Sequence, residues 1–191
     1  MPPLAEKVTQ IFYYADYLTW PDYERWEIID GVPYDMTPAP ASVHQMVLGE
    51  IFGNIWQHLK NKSGKVFTAP FDVRLSDNPD ADDGGIETVV KPDIVVICDR
   101  EKIDKRGCHG APDIAVEILS PASAYKDETE KLRLYEKYGV REYWIVNPAA
   151  QYVMVYRLDG GEYGRPEYFA KNDRLASQVL PDFVLDLTAI W

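Results

Sequence analysis

Two extended, almost wholly apolar runs in the middle of the chain constrain its fold most: Lys91-Pro92-Asp93-Ile94-Val95-Val96-Ile97-Cys98 and Ala111-Pro112-Asp113-Ile114-Ala115-Val116-Glu117-Ile118-Leu119. Continuous Ile and Val runs bounded by Pro and polar loops suit strands covered on both faces, so each run predicts a buried strand. Glu117 is the exception. A lone carboxylate in such a run is costly to bury unless it is paired, hydrogen-bonded or bound to a metal, which makes it a candidate functional group. A metal ligand needs a second acid nearby. Asp113 points to the same face but lies roughly 13 Å along the strand, too far to share one ion. Asp93 can stand on a neighbouring strand, where side chains approach within about 5 Å. Asp93 and Glu117 are therefore the candidate pair for Mg²⁺ or Mn²⁺, hard cations that prefer carboxylate oxygens.

After Ser120-Pro121, Ser123 is placed to cap a helix from about Ala124 to Tyr138, with Leu132 and Tyr135 inward and Gly139 as its stop. A helix packed back along the sheet rises about 1.5 Å per residue, which returns Lys131 to the level of Glu117. Two readings of Lys131 stand here: an amine beside Glu117, or an i, i+4 partner of Asp127 on a solvated face.

Val90-Lys91-Pro92-Asp93, Val116-Glu117-Ile118-Leu119-Ser120-Pro121, Asp127 to Lys131 and Gly139 to Val146 together resemble the restriction endonuclease-type family within the PD-(D/E)XK nuclease superfamily. The likeness runs from about Tyr17 to Tyr156. It implies a restriction-endonuclease-like fold of the α/β (α+β mixed) kind, in which a mixed sheet is flanked by helices, and metal-dependent hydrolysis of DNA. The superfamily motif has a Lys two residues after its acid, where this chain has Leu119; the resemblance implies that Lys131 replaces it. It also places Glu27 beside the active site and a His-Gln pair at His44-Gln45. The expected catalytic set is Asp93, Glu117, Lys131 and Glu27, with His44 and Asp127 in contact with substrate or supporting the ligands.

Outside this core, Thr9 to Trp20 reads as a short aromatic helix ended by Pro21. Asp30-Gly31 between Trp26-Glu27-Ile28-Ile29 and Val32-Pro33-Tyr34 reads as a hairpin. Glu27 then sits in the site or on an exposed strand beside Arg25. Thr37-Pro38-Ala39-Pro40 is a rigid connector, and Ser42 caps a helix to about Leu59 whose inner stripe holds His44, Val47, Leu48, Ile51, Ile55 and His58. Lys65 to Leu75 reads as a strand kinked or split at Pro70. Asp99 to Gly110 reads as a charged connector in which His109 is exposed. Gln151 to Leu158 and Glu162 to Ala170 flank Asp159-Gly160-Gly161 as a C-terminal antiparallel hairpin. The tail to Trp191 reads as packing.

With 191 residues and 46% hydrophobic content, residues 1–191 are expected to form one domain. Two cysteines make no disulfide framework, and no apolar run approaches a membrane span, so a cytoplasmic protein is expected. A net charge of −11 opposes a nucleic-acid ligand, because phosphate contacts depend on cations. The charge is uneven, however. Asp77 to Glu87 is acidic, whereas Lys60, Lys62, Lys65 and, separately, Lys102, Lys105, Arg106 form basic groups that are either solvated or phosphate-facing. The leading expectation is an endonuclease acting on duplex DNA, as a possible homodimer that covers the hairpin edge. The alternatives are a nuclease-fold binding or assembly module without catalysis, and a metal-assisted hydrolase of small phosphate compounds.

Overall fold

The two central runs become adjacent antiparallel strands, and the rest of the molecule is layered around them. The computed structural model describes residues 10–21, 24–36 and 41–191. The expected connector over residues 37–40 and the helix start at Thr9 lie outside the described residues.

The first sheet contains β1 (Trp26–Ile29), β2 (Val32–Asp35), β4 (Val73–Leu75), β5 (Thr88–Val90), β7 (Ile103–Asp104) and β8 (Gly107–His109), in the order β2-β1-β5-β4-β8-β7. The second contains β3 (Lys65–Thr68), β6 (Ile94–Ile97), β9 (Ile114–Ile118), β10 (Glu142–Asn147), β11 (Tyr152–Asp159) and β12 (Glu162–Tyr163), in the order β12-β11-β10-β9-β6-β3, with β13 (Glu167–Ala170) also on β11. Pairing is antiparallel except for β4 with β8 and β9 with β10, so both sheets are mixed. The expected C-terminal hairpin is present as β11 with β12 and β13.

Period-2 alternation divides the core. Ile94, Val96, Ile114, Val116 and Ile118 face α2 (Ser42–Leu59), which presents Val47, Ile51 and Ile55, and the C-terminal Phe183, Leu185 and Leu187. Val95, Ile97, Ala115, Tyr143 and Ile145 face the other way, against the first sheet's Ile29, Val73, Leu75 and Val90 and the helical residues Leu134 and Tyr135. Each central strand is thus covered on both sides, which is why its sequence is apolar throughout.

Several expectations need correction. The run from Lys91 to Cys98 is not one strand: β5 ends at Val90 and β6 starts at Ile94, so Lys91-Pro92-Asp93 crosses from one sheet to the other. Proline supplies no ladder donor, and the chain changes sheets there. The split expected at Pro70 is present, after a cis peptide bond, and it goes further than a kink, since β3 and β4 join different sheets. The N-terminal helix shrinks to α1 (Tyr14–Tyr17). Ser42 is the first helical residue of α2, and Ala41 holds the cap position with no side-chain bond. His109 lies in β8 rather than in an exposed connector, half-buried. The tail packs as expected, with Phe183, Leu185 and Leu187 in the core, and within it β15 (Val184–Asp186) also pairs with the preceding β14 (Arg174–Ala176).

Between β9 and β10 the helical segment is composite: α3 (Ala124–Lys126), a π turn (Asp127–Lys131) and α4 (Leu132–Tyr138). Gly139 ends it in the left-handed conformation at φ 84°, as only glycine does without cost, and Val140 N closes the end on Tyr135 O at 2.9 Å. No helix among the described residues is long and apolar enough to cross a membrane.

Candidate active site

The site lies where the crossover joins the sheets. Strand register pairs Ile94 with Val116, which sets Asp93 across from Glu117. Asp93 Oδ2 accepts hydrogen bonds from Ile118 N at 2.7 Å and stands 3.1 Å from His44 Nε2, brought by the first turn of α2. From the other sheet, β1 delivers Glu27, fully buried, whose Oε1 accepts from Lys91 N at 2.9 Å. Asp113 is tied elsewhere, accepting from Cys98 N at 2.7 Å and facing Arg141 at 3.3 Å.

Lys131 sits at the centre. Its Nζ is 2.8 Å from Glu117 Oε1, 2.8 Å from Glu27 Oε1 and 3.6 Å from Asp127 Oδ1, with the side chain 4% exposed. The solvated i, i+4 pair is therefore not what forms: Asp127 is buried as well. Tyr135 Oη donates to Glu117 Oε1 at 3.0 Å, and Lys126 Nζ donates to Glu27 Oε2 at 2.8 Å. In an α-helix, residues five apart diverge by about 140°. The i→i+5 turn over Asp127–Lys131 removes most of that divergence, so Lys126 and Lys131 both reach Glu27.

Sequence reasoning missed Lys126. Its spacing from Lys131 carries no α-helical signal, and a π turn leaves no periodicity to read. Tyr135 was expected to face inward, but its bond to Glu117 was not.

The electrostatics follow from burial. Burial pushes the Glu27 carboxyl up, but the ammonium groups of Lys131 and Lys126 outweigh it and hold the pKa down at about 2. Glu117 goes the other way: burial pushes it well above the carboxylate range, and Asp127, Asp93 and Glu27 add to the rise against Lys131 alone. Two ammonium groups favour the charge on Glu27 and one, shared, favours that on Glu117, which is why the two carboxyls shift in opposite directions. Asp127 is also raised, chiefly by burial. Burial lowers the His44 imidazole, but its bond to Asp93 outweighs that and leaves it raised.

The Uma2 family, described as "Putative restriction endonuclease", matches residues 14–188. The chain belongs to the Uma2 family. No curated protein matches it. Among solved structures, a protein from Anabaena variabilis ATCC 29413, described as a putative nuclease belonging to DUF820, is similar at 20% identity, with a TM-score of 0.73 over 94% of this chain and 97% of that one. That likeness establishes the nuclease-type fold. In this Uma2 chain Leu119 stands two residues after Glu117, packs as a partly buried apolar side chain and donates its backbone N–H to Val146 O at 2.8 Å.

A divalent ion fits the donor chemistry by charge. Glu27, Asp93, Glu117 and Asp127 bring four carboxylates, against the ammonium groups of Lys126 and Lys131. Asp127 Oδ1 is buried with no hydrogen-bond partner among the described residues. Among those residues no three His, Cys, Asp or Glu side chains are grouped to hold an ion unaided. Asp93 and Glu117 would leave most of the shell to water and substrate oxygens, which suits Mg²⁺.

Proposed function

We propose that this Uma2 chain is a Mg²⁺- or Mn²⁺-dependent endonuclease that hydrolyses phosphodiester bonds in DNA, with Asp93 and Glu117 as the protein's metal ligands. The observation that carries it is the convergence of Glu117 and Glu27, from strands of two sheets, on the buried Lys131 ammonium, with Asp93 set across from Glu117 at the crossover between the sheets. When bound, the ion supplies an acidified water and neutralises charge that develops on the phosphoryl group.

The chain's own residues do the positioning. The Ile118 N–H and His44 fix the Asp93 carboxylate. Burial opposes the charge on Lys131, but Glu117, Glu27 and Asp127 outweigh it and hold the pKa well above the usual lysine range. Lys131 thus remains an ammonium, able to stabilise negative charge in the transition state rather than to take up a proton. Glu27 holds Lys131 and Lys126 on one carboxylate, and so sets where both charges stand.

The test is nicking of supercoiled plasmid by purified protein with Mg²⁺ or Mn²⁺, and with chelator. Asp93→Asn and Glu117→Gln should each abolish metal-dependent cutting; activity that persists in both refutes the assignment.

A second reading, a binding or assembly module without catalysis, is favoured by Leu119 at the motif Lys position and by the net charge of −11. It predicts no cutting of DNA, RNA or nucleotides under any divalent ion.

A further inference from the structure

The basic group Lys102, Lys105, Arg106 plays no part in the acid cluster. Lys105 and Arg106 instead line a cavity of ≈ 500 Å³ together with Arg74, His109, Asp83 and Asp104. It lies on the far face of the first sheet: Val73 and Leu75 of β4 point into the core around Tyr135, and Arg74 between them points the opposite way.

Arg74 is only 4% exposed, with its guanidinium 5.4 Å from the Tyr14 ring centre and its Nη2 donating to Asp104 Oδ2 at 2.6 Å. Its Nε is buried with no hydrogen-bond partner among the described residues. Strand register places Arg74 directly beside His109 across β4 and β8, and His109 Nε2 is likewise buried and unpartnered among those residues. A buried polar nitrogen left unpaired costs about 1–3 kcal/mol. Two such nitrogens on adjacent side chains, both lining one cavity, point to an acceptor from outside the chain. Three cations, Arg74, Lys105 and Arg106, line the cavity against two acids, Asp83 and Asp104, leaving it net positive in an acidic protein. Both acids already have cationic partners, Asp104 on Arg74 and Asp83 on Arg106. An oxyanion with several acceptor oxygens suits a guanidinium edge better than a neutral ligand does.

We infer that this cavity is an oxyanion site for a small phosphate group, which accepts from Arg74 Nε and from His109 Nε2 in the form of the ring that carries a proton there, with Lys105 and Arg106 adding charge from the exposed β7–β8 turn. The phosphate is either free or the terminal group of a nucleotide. The site is separate from the acid cluster and does not depend on nuclease activity.

Calorimetry with inorganic phosphate on the full chain tests it, with a nucleoside monophosphate as the second ligand. Saturable binding is expected, weakened at least about tenfold both by the paired exposed substitutions Lys105→Gln and Arg106→Gln and by His109→Leu. Asp93→Asn should bind phosphate as the unaltered protein does, even if the nuclease reading fails. Equal affinities support free phosphate and tighter monophosphate binding supports a nucleotide, each with the site intact. Absence of saturable heat below about 10 mM phosphate, or affinity unchanged in both variants, overturns the inference. Arg74→Gln, which also removes the partner of Asp104, is informative only beside a matching circular dichroism spectrum; the turn and His109 variants do not share that burden.

Discussion

Replacing Lys131 with Met removes one ammonium from among three buried carboxylates. Glu27 keeps Lys126 and the Lys91 N–H, whereas Glu117 and Asp127 lose their nearest cation. Breaking a buried ion pair by removing one partner costs about 3–5 kcal/mol, because the remaining charge stays desolvated. For a chain of this size that is a fall in melting temperature of roughly 6–20 °C. The loss should depend on pH. Glu117 and Asp127 already titrate above their ordinary range, and without the ammonium they rise further. The folded variant then holds protons that the unfolded chain releases, so its stability drops as pH rises above the unfolded carboxyl range. Melting curves at about pH 5 and about pH 8 should show the Lys131→Met deficit shrinking by about half or more at the lower value. Adding Glu117→Gln to Lys131→Met should recover part of the loss at pH 8, since the two groups are in contact. A deficit below about 2 °C, or one equal at both pH values, would falsify the claim that Lys131 neutralises the buried acids.

The Glu27 carboxyl, held down from its ordinary 4.5 to about 2, contributes stability that is present above pH 4.5 and lost as pH falls towards 2. That shift is worth roughly 3 kcal/mol; Glu27→Gln should flatten the acid limb of a stability-against-pH curve, and an unchanged limb contradicts the pairing. His44→Asn should slow plasmid nicking by about 10–100-fold with the fold intact by circular dichroism, as loss of a ligand-orienting partner does; an unaltered rate removes His44 from the site. Gly107 has φ 127°, and an added Cβ would come 2.1 Å from Asp72 O, so Gly107→Ala should cost about 2 kcal/mol or more in denaturant unfolding. An unaffected midpoint would mean the β4–β8 approach is looser than described.

Different parts of the site were legible for different reasons. Glu117 stands out because an acid inside an apolar strand is anomalous in one dimension, and Asp93 follows from the geometry of neighbouring strands. The approach of Lys131 could be estimated from helical rise, although the chain reaches Glu117 through a π turn rather than a regular helix. Glu27 was ambiguous from its own residues. Trp26-Glu27-Ile28-Ile29 does not say that the strand is covered by a second sheet, and only tertiary pairing buries it. The same limit hid the sheet changes at Pro70 and Pro92. Apolar runs report burial; partner strands far along the chain decide which sheet a residue joins. His109 looked solvated because its neighbours are charged, yet pairing of β8 with β4 draws its ring inward.

The three-residue crossover Lys91-Pro92-Asp93 works as a clasp. Lys91 N grips Glu27 in the first sheet, and Asp93 grips the Ile118 N–H in the second. A relative slide of the two layers by even an ångström pulls on both grips before any apolar side chain reaches water. Heating should therefore scatter the acidic groups no later than it melts either layer, so that chemistry at this seam and mechanical integrity of the molecule fail together.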